Sequence, residues 1–168
     1  MSITLDGDNL TTTGVINSGT AVASTSGTSI NFTGIPAGVK RITVMFNGVS
    51  TNGSSNVLLQ VGSGSVQTTG YNGSGSYVNG TNSCSWAAFT TGVGINYPSS
   101  AYTRSGHIIC TNVSGNIWVF SGSVGDSTTA SSFLGSTVTL SGTLDRVRIT
   151  TVNGTDTFDA GSINILYE

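Results

Sequence analysis

Apolar and polar residues alternate along this chain in short segments that end at turn-forming residues. In residues 40–47, for example, Ile42, Val44 and Phe46 fall on one face of an extended chain, and Arg41 and the other intervening residues fall on the opposite face. Such segments recur about every 8–14 residues and are separated by Gly, Asn, Ser and Pro. No stretch shows the 3.6-residue period of a helix. The pattern predicts an all-β, antiparallel sandwich or barrel of roughly nine or ten strands.

Charged residues are scarce. Only 7% of the 168 residues are Asp, Glu, Lys or Arg, against about 25% in a typical soluble domain, and more than half of the chain is Ser, Thr, Gly or Asn. Helical folds are disfavoured because Leu, Glu and Lys are few. The 5 Lys and Arg residues are too few to neutralise a nucleic-acid backbone, so no nucleic-acid partner is expected. A net charge of -2 with 36% hydrophobic residues is not typical of a disordered chain.

The chain divides into a poorly patterned beginning and a well patterned remainder. Residues 1–27 hold isolated apolar residues among Thr, Ser, Gly and Asn, which is typical either of an extended arm that attaches the protein to a partner or of loose strands of the same domain. Residues 28–168 predict one β domain. No basic segment followed by an apolar core is visible near Met1, so no signal peptide is predicted. No apolar run is long enough for membrane insertion.

Few residues have the patterns that catalysis, metal binding or cofactor binding require. His107 is the only histidine and no nucleophile motif accompanies it, so we expect no catalytic residues. No metal-ligand or phosphate-loop spacing is present, so we expect no metal and no cofactor. A Ca²⁺ site in the loop with Asp156 and Asp159 stays open beside the interpretation that these aspartates cap turns. Cys84 and Cys110 are expected to be free thiols.

Two arginines form a second kind of candidate site. Arg146 and Arg148 lie two residues apart and therefore on one face of a predicted strand. We expect them to pair with carboxylates, either across neighbouring strands or across a subunit interface. Binding of an anionic ligand is the alternative.

Aromatic residues in the irregular middle of the chain form the most suggestive set. The candidate ligand-binding residues are Tyr71, Tyr77, Trp86, Tyr97 and Tyr102, which lie among Ser, Asn and Gly. Rigid rings beside small polar side chains are typical of recognition surfaces, where a ring stacks on the apolar face of a sugar and amides and hydroxyls orient it. The alternative places the tyrosines over the ends of the core. For Trp86 and Trp118, packing in the core is the favoured interpretation.

Two segments resemble a module of tailed bacteriophages and prophages that occurs in tail fibres and in small virion proteins. The first, residues 33–47, reads TGIPAGVKRITVMFN, and the second, residues 142–167, contains GTLDRVRITTVNG and FDAGSINILY. With the region between them they cover about residues 28–168. The resemblance implies a component of a phage particle, a β-sandwich of jelly-roll type and a homotrimer. It implies no catalytic residues.

Together with the aromatic set, the resemblance predicts a non-enzymatic virion surface protein of the tail-fibre, receptor-binding type that contacts host surface glycan. The arm would bind other virion proteins, and the chain would fold in the cytoplasm of the bacterial host. Tail fibres are usually far longer than this chain. The chain would therefore be a short tip subunit, a capsid head decoration or cement protein, or a fragment. A glycan depolymerase using carboxylates among Asp145, Asp156 and Asp159 and a free lectin are further alternatives.

Overall fold

A computed structural model describes residues 16–168, and every regular element in that range is a strand. The strands are β1 (Asn17–Ser18), β2 (Val22–Ala23), β3 (Ile30–Thr33), β4 (Arg41–Thr51), β5 (Val57–Ser63), β6 (Ser65–Val66), β7 (Asn72–Asn79), β8 (Cys84–Phe89), β9 (Val93–Ile95), β10 (Arg104–Ser114), β11 (Ile117–Asp126), β12 (Ala130–Thr139), β13 (Arg146–Thr151) and β14 (Phe158–Tyr167). Ten of them have four or more residues, which matches the number predicted. Among the described residues there is no helix that could cross a membrane.

The strands form two antiparallel sheets that pack as a sandwich, which confirms the predicted fold class. The larger sheet has the order β1-β14-β4-β10-β11-β12-β7-β8, and β2 also pairs with β14. The smaller sheet has the order β3-β13-β5-β6, and β9 also pairs with β5. Strands β1 and β2 therefore lie at one edge of the larger sheet, and β8 forms the other edge.

The core lies between the sheets and is built by the alternation seen in the sequence. On β4, Ile42, Val44 and Phe46 point inward and are almost fully buried, and on β13 the inward residues are Val147 and Ile149. Burial of such an apolar side chain stabilises the folded state by about 1.5–3 kcal/mol. The intervening residues of both strands face outward, so the polar candidate residues of β13 lie on the outer face of the smaller sheet.

Residues 16–27, the described part of the predicted arm, lie along the edge of the larger sheet. Strands β1 and β2 both pair with β14, and the buried Ser24 hydroxyl donates a hydrogen bond to the carbonyl of Ala160 over 2.7 Å. This stretch therefore packs as part of the sandwich. The rest of the predicted arm, residues 1–15, lies outside the described residues.

The irregular stretch of the sequence, residues 62–104, contains strands β6 to β9. Strand β7 was not predicted, because small residues occupy most of its positions and leave little apolar alternation to read. It nevertheless pairs with β12 on one side and β8 on the other. Close packing explains one of its glycines: a Cβ added at Gly75 would lie 2.6 Å from the carbonyl oxygen of Gly94.

Candidate functional site

Three of the five aromatic candidates come together where β10 begins and β11 ends. Tyr77 lies on β7, and Tyr97 and Tyr102 lie on the connection between β9 and β10, residues 96–103. The ring centroids of Tyr77 and Tyr97 are 4.5 Å apart, and those of Tyr97 and Tyr102 are 5.2 Å apart with the rings stacked at an interplanar angle of 10°. All three side chains are half-buried. We call Tyr77, Tyr97 and Tyr102 the tyrosine cluster.

A buried arginine holds the connection that carries two of these rings. Arg104, the first residue of β10, is fully buried. Its Nη2 donates to the backbone carbonyls of Tyr97 over 3.0 Å and of Ser99 over 3.2 Å. Hydrogen bonds from a charged donor are stronger than neutral ones. Arg104 therefore bonds the connection to the larger sheet at Tyr97, the residue that bears the central ring of the tyrosine cluster.

The charge of Arg104 faces a buried carboxylate on the neighbouring strand. Asp126, which lies opposite Arg104 in the pairing of β10 with β11, is fully buried, and its Oδ1 is 3.7 Å from Arg104 Nε. Its Oδ2 accepts a hydrogen bond from the Ser132 hydroxyl over 2.7 Å. Burial raises the pKa of the Asp126 carboxyl above its usual value, while Ser132 and Arg104 act in the opposite direction. Burial likewise lowers the pKa of Arg104.

A second hydrogen-bond chain ties the same region to strand β7. The buried Asn96, next to Tyr97, donates through Nδ2 to the carbonyl of Gly75 over 3.2 Å. Partial burial, followed by a side-chain interaction with Tyr102, raises the pKa of the Tyr97 hydroxyl. The tyrosine cluster is thus a pre-positioned set of rings with polar groups at its border.

Trp86 lies on the other face of the larger sheet. It is opposite Ser76 in the pairing of β7 with β8, and Ser76 and Tyr77 point to opposite faces because they are adjacent on a strand. The Trp86 side chain is 72% exposed, so the interpretation that it packs in the core is wrong. Trp118, which is 3% exposed, does pack in the core as predicted. Trp86 alternates with its neighbours on β8 as a strand residue should, but it points to the outer face of the larger sheet. That face is not covered at the edge strand β8, so Trp86 is exposed.

Tyr71 is the fifth aromatic candidate and belongs to the core. It is 3% exposed and its ring centroid is 6.3 Å from that of Phe120. Its hydroxyl accepts a hydrogen bond from the backbone N–H of Val61 over 2.8 Å. Burial raises the pKa of Tyr71 to about 12. The ring cannot reach an external ligand in this position, which corrects the assignment of Tyr71 to the ligand-binding set.

Arg146 and Arg148 share the outer face of the smaller sheet, as predicted, but have different partners. Arg146 makes two hydrogen bonds to its sequence neighbour Asp145, of 2.7 and 3.1 Å, and this contact lowers the pKa of the Asp145 carboxyl. Arg148 instead makes two hydrogen bonds to Oε1 of Gln60, the residue opposite it on β5. The predicted pairing with a carboxylate is therefore found for Arg146, along the strand rather than across strands. It is not found for Arg148 within residues 16–168.

Arg148 and Gln60 form part of the floor of a groove of about 410 Å³ on the outer face of the smaller sheet. The buried Leu58 lies beside them. The walls carry mainly hydroxyl and amide side chains, from Thr28, Ser29, Thr68, Thr91, Thr150 and Asn153. The sequence did not point to Gln60; the one available signal is a polar residue inside the otherwise apolar run of residues 57–61.

The remaining candidate residues are dispersed. His107 is exposed on β10, Cys84 is an exposed free thiol and Cys110 a buried one, as predicted for the two cysteines. Asp156 accepts hydrogen bonds from the backbone N–H of Ser55, in the loop between β4 and β5, and from the Asn153 side chain. The turn at residues 153–156 is capped by Asn153 Oδ1, which accepts from the backbone N–H groups of Thr155 and Asp156. In residues 16–168 no three His, Cys, Asp or Glu side chains are grouped so that they could hold a metal ion.

The chain was compared with protein-family models, with curated proteins and with solved structures, and none of them matches.

Proposed function

We propose that this protein is a non-enzymatic virion surface protein of the tail-fibre, receptor-binding type, and that its tyrosine cluster contacts a glycan of the host surface. The observation that carries the proposal is the close approach of three tyrosine rings: Tyr97 and Tyr102 are stacked on a connection that the buried Arg104 holds in place, and Tyr77 on β7 packs against Tyr97 at a tilt. The resemblance of residues 33–47 and 142–167 to phage tail-fibre modules supports the same class.

Glycan binding at the tyrosine cluster would use two kinds of contact. The apolar face of a sugar ring stacks on an aromatic ring, and sugar hydroxyls exchange hydrogen bonds with tyrosine hydroxyls and nearby polar side chains. Thr129 and Asn79 lie close enough to Tyr97 to affect the pKa of its hydroxyl, so they border the site. Because Arg104 already holds the connection, binding would require little additional ordering of the chain.

Self-association would multiply a weak contact of this kind. We propose a homotrimer that attaches to other virion proteins through the N-terminal residues, with the tyrosine cluster of each subunit directed at the same host surface. Linked sites raise the overall affinity by increasing the effective concentration of the second and third contacts. Millimolar single-site binding would then suffice for adhesion to a cell.

The test measures binding of the purified protein to an array of bacterial surface glycans. A Tyr97→Ala variant removes the central ring and should weaken binding by roughly thirtyfold, the effect of truncating a dominant aromatic contact. Tyr97→Phe keeps the ring and should retain most of the binding. Trp86→Ala is the matched control, because it removes an exposed ring from the opposite face of the larger sheet. Undiminished binding by a variant lacking all three cluster rings would refute the site.

A second candidate function, a capsid head decoration or cement protein, is supported by the outer face of the larger sheet. Trp86 and Phe133 both lie opposite Ser76 on the strands that flank β7. Trp86, Phe133 and Val78 are exposed apolar side chains on this face, with exposed fractions of 72%, 48% and 50%, and Ser76 lies between Trp86 and Phe133. Such side chains are suited to contact with another protein. Electron microscopy of an intact particle, with the subunit traced in the tail or on the head, decides between the two functions.

A further inference from the structure

Arg148 differs from the other arginines of the described chain in the charge of its partner. The other three each pair with a carboxylate: Arg41 with Glu168, Arg104 with Asp126 and Arg146 with Asp145. Arg148 bonds to the neutral amide oxygen of Gln60, and no carboxylate in residues 16–168 forms a salt bridge with it. An amide fixes the orientation of a guanidinium without cancelling its charge.

The bonds to Gln60 determine which edge of the guanidinium stays available. Arg148 Nε and Nη2 donate to the same Oε1, over 2.9 and 2.6 Å. Gln60 is itself fixed, since it is 3% exposed and its Nε2 donates to the carbonyl of Thr91 over 2.6 Å. The remaining N–H groups of Arg148, on Nη1 and Nη2, form the end-on pair that matches the two oxygens of a carboxylate.

The surroundings of this end-on pair are suited to a sugar. The groove volume of about 410 Å³ lies in the range of small-ligand sites, roughly 300–1,000 Å³. Threonine and serine hydroxyls on the walls can exchange hydrogen bonds with sugar hydroxyls. We propose that the groove binds a sugar that bears a carboxylate, such as a uronic acid, with the carboxylate on Arg148 and the ring between the threonine-lined walls.

The charge of the groove favours a singly charged anion over a phosphate group or a nucleic acid. Arg148 is the one cationic residue among the residues that line it. Sites for phosphate commonly combine several cationic or backbone donors, whereas one planar guanidinium matches one planar carboxylate. The groove lies on the smaller sheet, and the tyrosine cluster joins β7 of the larger sheet to the β9–β10 connection. The proposal therefore does not depend on the function proposed for the tyrosine cluster.

The test is an NMR titration of the full-length protein with methyl β-D-glucuronide, and with methyl β-D-glucoside as the uncharged probe of the same ring. The glucuronide should shift the Arg148 Nε–H resonance and the amide resonances of the groove walls. Its affinity should exceed that of the glucoside by about tenfold or more, because hydrogen bonds between two charged groups are stronger than those between neutral groups. Equal affinity for the two probes would overturn the proposal.

Two arginines of the same strand supply the variant and its control. Arg148→Gln should reduce glucuronide affinity to that of the glucoside, and Arg148→Lys should give an intermediate value because the charge remains without the planar fork. Arg146→Gln removes an equally placed cation that already has a carboxylate partner and should leave glucuronide binding unchanged. Full binding by Arg148→Gln, or its loss in Arg146→Gln, would exclude the groove.

Further arms identify the source of the anion and the location of the ligand. Acetate and inorganic phosphate, at the same concentration, should not displace the glucuronide, since they lack the ring that contacts the walls. Displacement by either would show a general anion site and contradict the sugar assignment. Tyr97→Ala should leave glucuronide binding intact. If it abolishes that binding, the ligand is at the tyrosine cluster and the proposal for the groove fails, independently of the fate of the function proposed above.

Discussion

The tyrosine cluster and the groove of the smaller sheet are each organised by an arginine, but the two arginines act in opposite ways. Arg104 is fully buried, and it directs its charge at Asp126 and its hydrogen bonds at the connection above it. Arg148 is half-buried and donates two hydrogen bonds to the neutral amide oxygen of Gln60. Burial and the charge of the partner, rather than the residue type, therefore decide whether an arginine stabilises this fold or remains available to a ligand.

The largest effect is expected from breaking the buried pair. Arg104→Met leaves the Asp126 carboxylate buried without its cation, and the free energy of unfolding should fall by about 3–5 kcal/mol. Urea denaturation followed by circular dichroism measures this change. The double variant Arg104→Met, Asp126→Leu should be more stable than Arg104→Met alone, because no uncompensated charge is then buried. A loss of less than about 1 kcal/mol in the single variant would mean that the pair does not hold this end of the sheet together.

An intermediate effect on stability is expected from ionisation of the buried Tyr71. Burial raises the pKa of Tyr71 to about 12 from 10.0, so the folded state binds the phenolic proton more tightly than the unfolded state does. This contribution to stability is present below pH 10 and is lost as the pH rises towards 12. By linkage the loss amounts to roughly 2–3 kcal/mol.

Denaturation curves recorded between about pH 9 and pH 12 test this expectation, because this range spans the unfolded-state and folded-state pKa values of Tyr71. The Tyr71→Phe variant has no phenolic proton to lose, so its stability should decline less steeply over the same range than that of the unchanged protein. The buried Cys110 thiol, whose pKa is also raised by burial, is present in both proteins, so the difference between the two curves reports mainly on Tyr71. Parallel curves for the two proteins would refute the role assigned to Tyr71.

The smallest effect on stability is expected at the groove. Arg148→Gln removes a half-buried cation that has no salt bridge among the described residues, and the substituted amide can still bond to Gln60. The free energy of unfolding should change by no more than about 0.5 kcal/mol, while the glucuronide affinity should fall to that of the glucoside. A stability loss close to that of Arg104→Met would abolish the distinction between the two arginines.

Alternation along single strands was sufficient to predict the sandwich and much of its core. Residues such as Ile42, Val44 and Val147 follow a period of two that survives in the structure because one face of each strand meets the opposite sheet. Strand β7 escaped prediction because its stability comes from pairing with β12 and β8 rather than from its own apolar residues. An apolar period of two indicates which residues are buried, so it cannot reveal a strand made mostly of glycine, serine and asparagine.

The candidate sites were predictable only as residue types. Tyr71 and Tyr97 stand in similar polar surroundings in the sequence, yet one is in the core and the other in the tyrosine cluster. The difference follows from where the chain folds back, which single residues do not encode. Likewise the contact between Arg148 and Gln60 joins residues far apart in the chain and depends on the register of β13 against β5. Register is set by the whole sheet and is not visible in either strand alone.

The positions of β13 and β14 in the two sheets determine when the earlier strands can complete their pairing. Among residues 16–168, β3 pairs only with β13, and β4 pairs with β14, so these strands from the first third of the chain acquire these neighbours only after β13 and β14 have left the ribosome. Pairings of such high sequence separation make folding slow, on the order of milliseconds to seconds. Until β13 and β14 are available, the apolar faces of β4 and β5 are incompletely covered, and such exposed apolar surface favours aggregation.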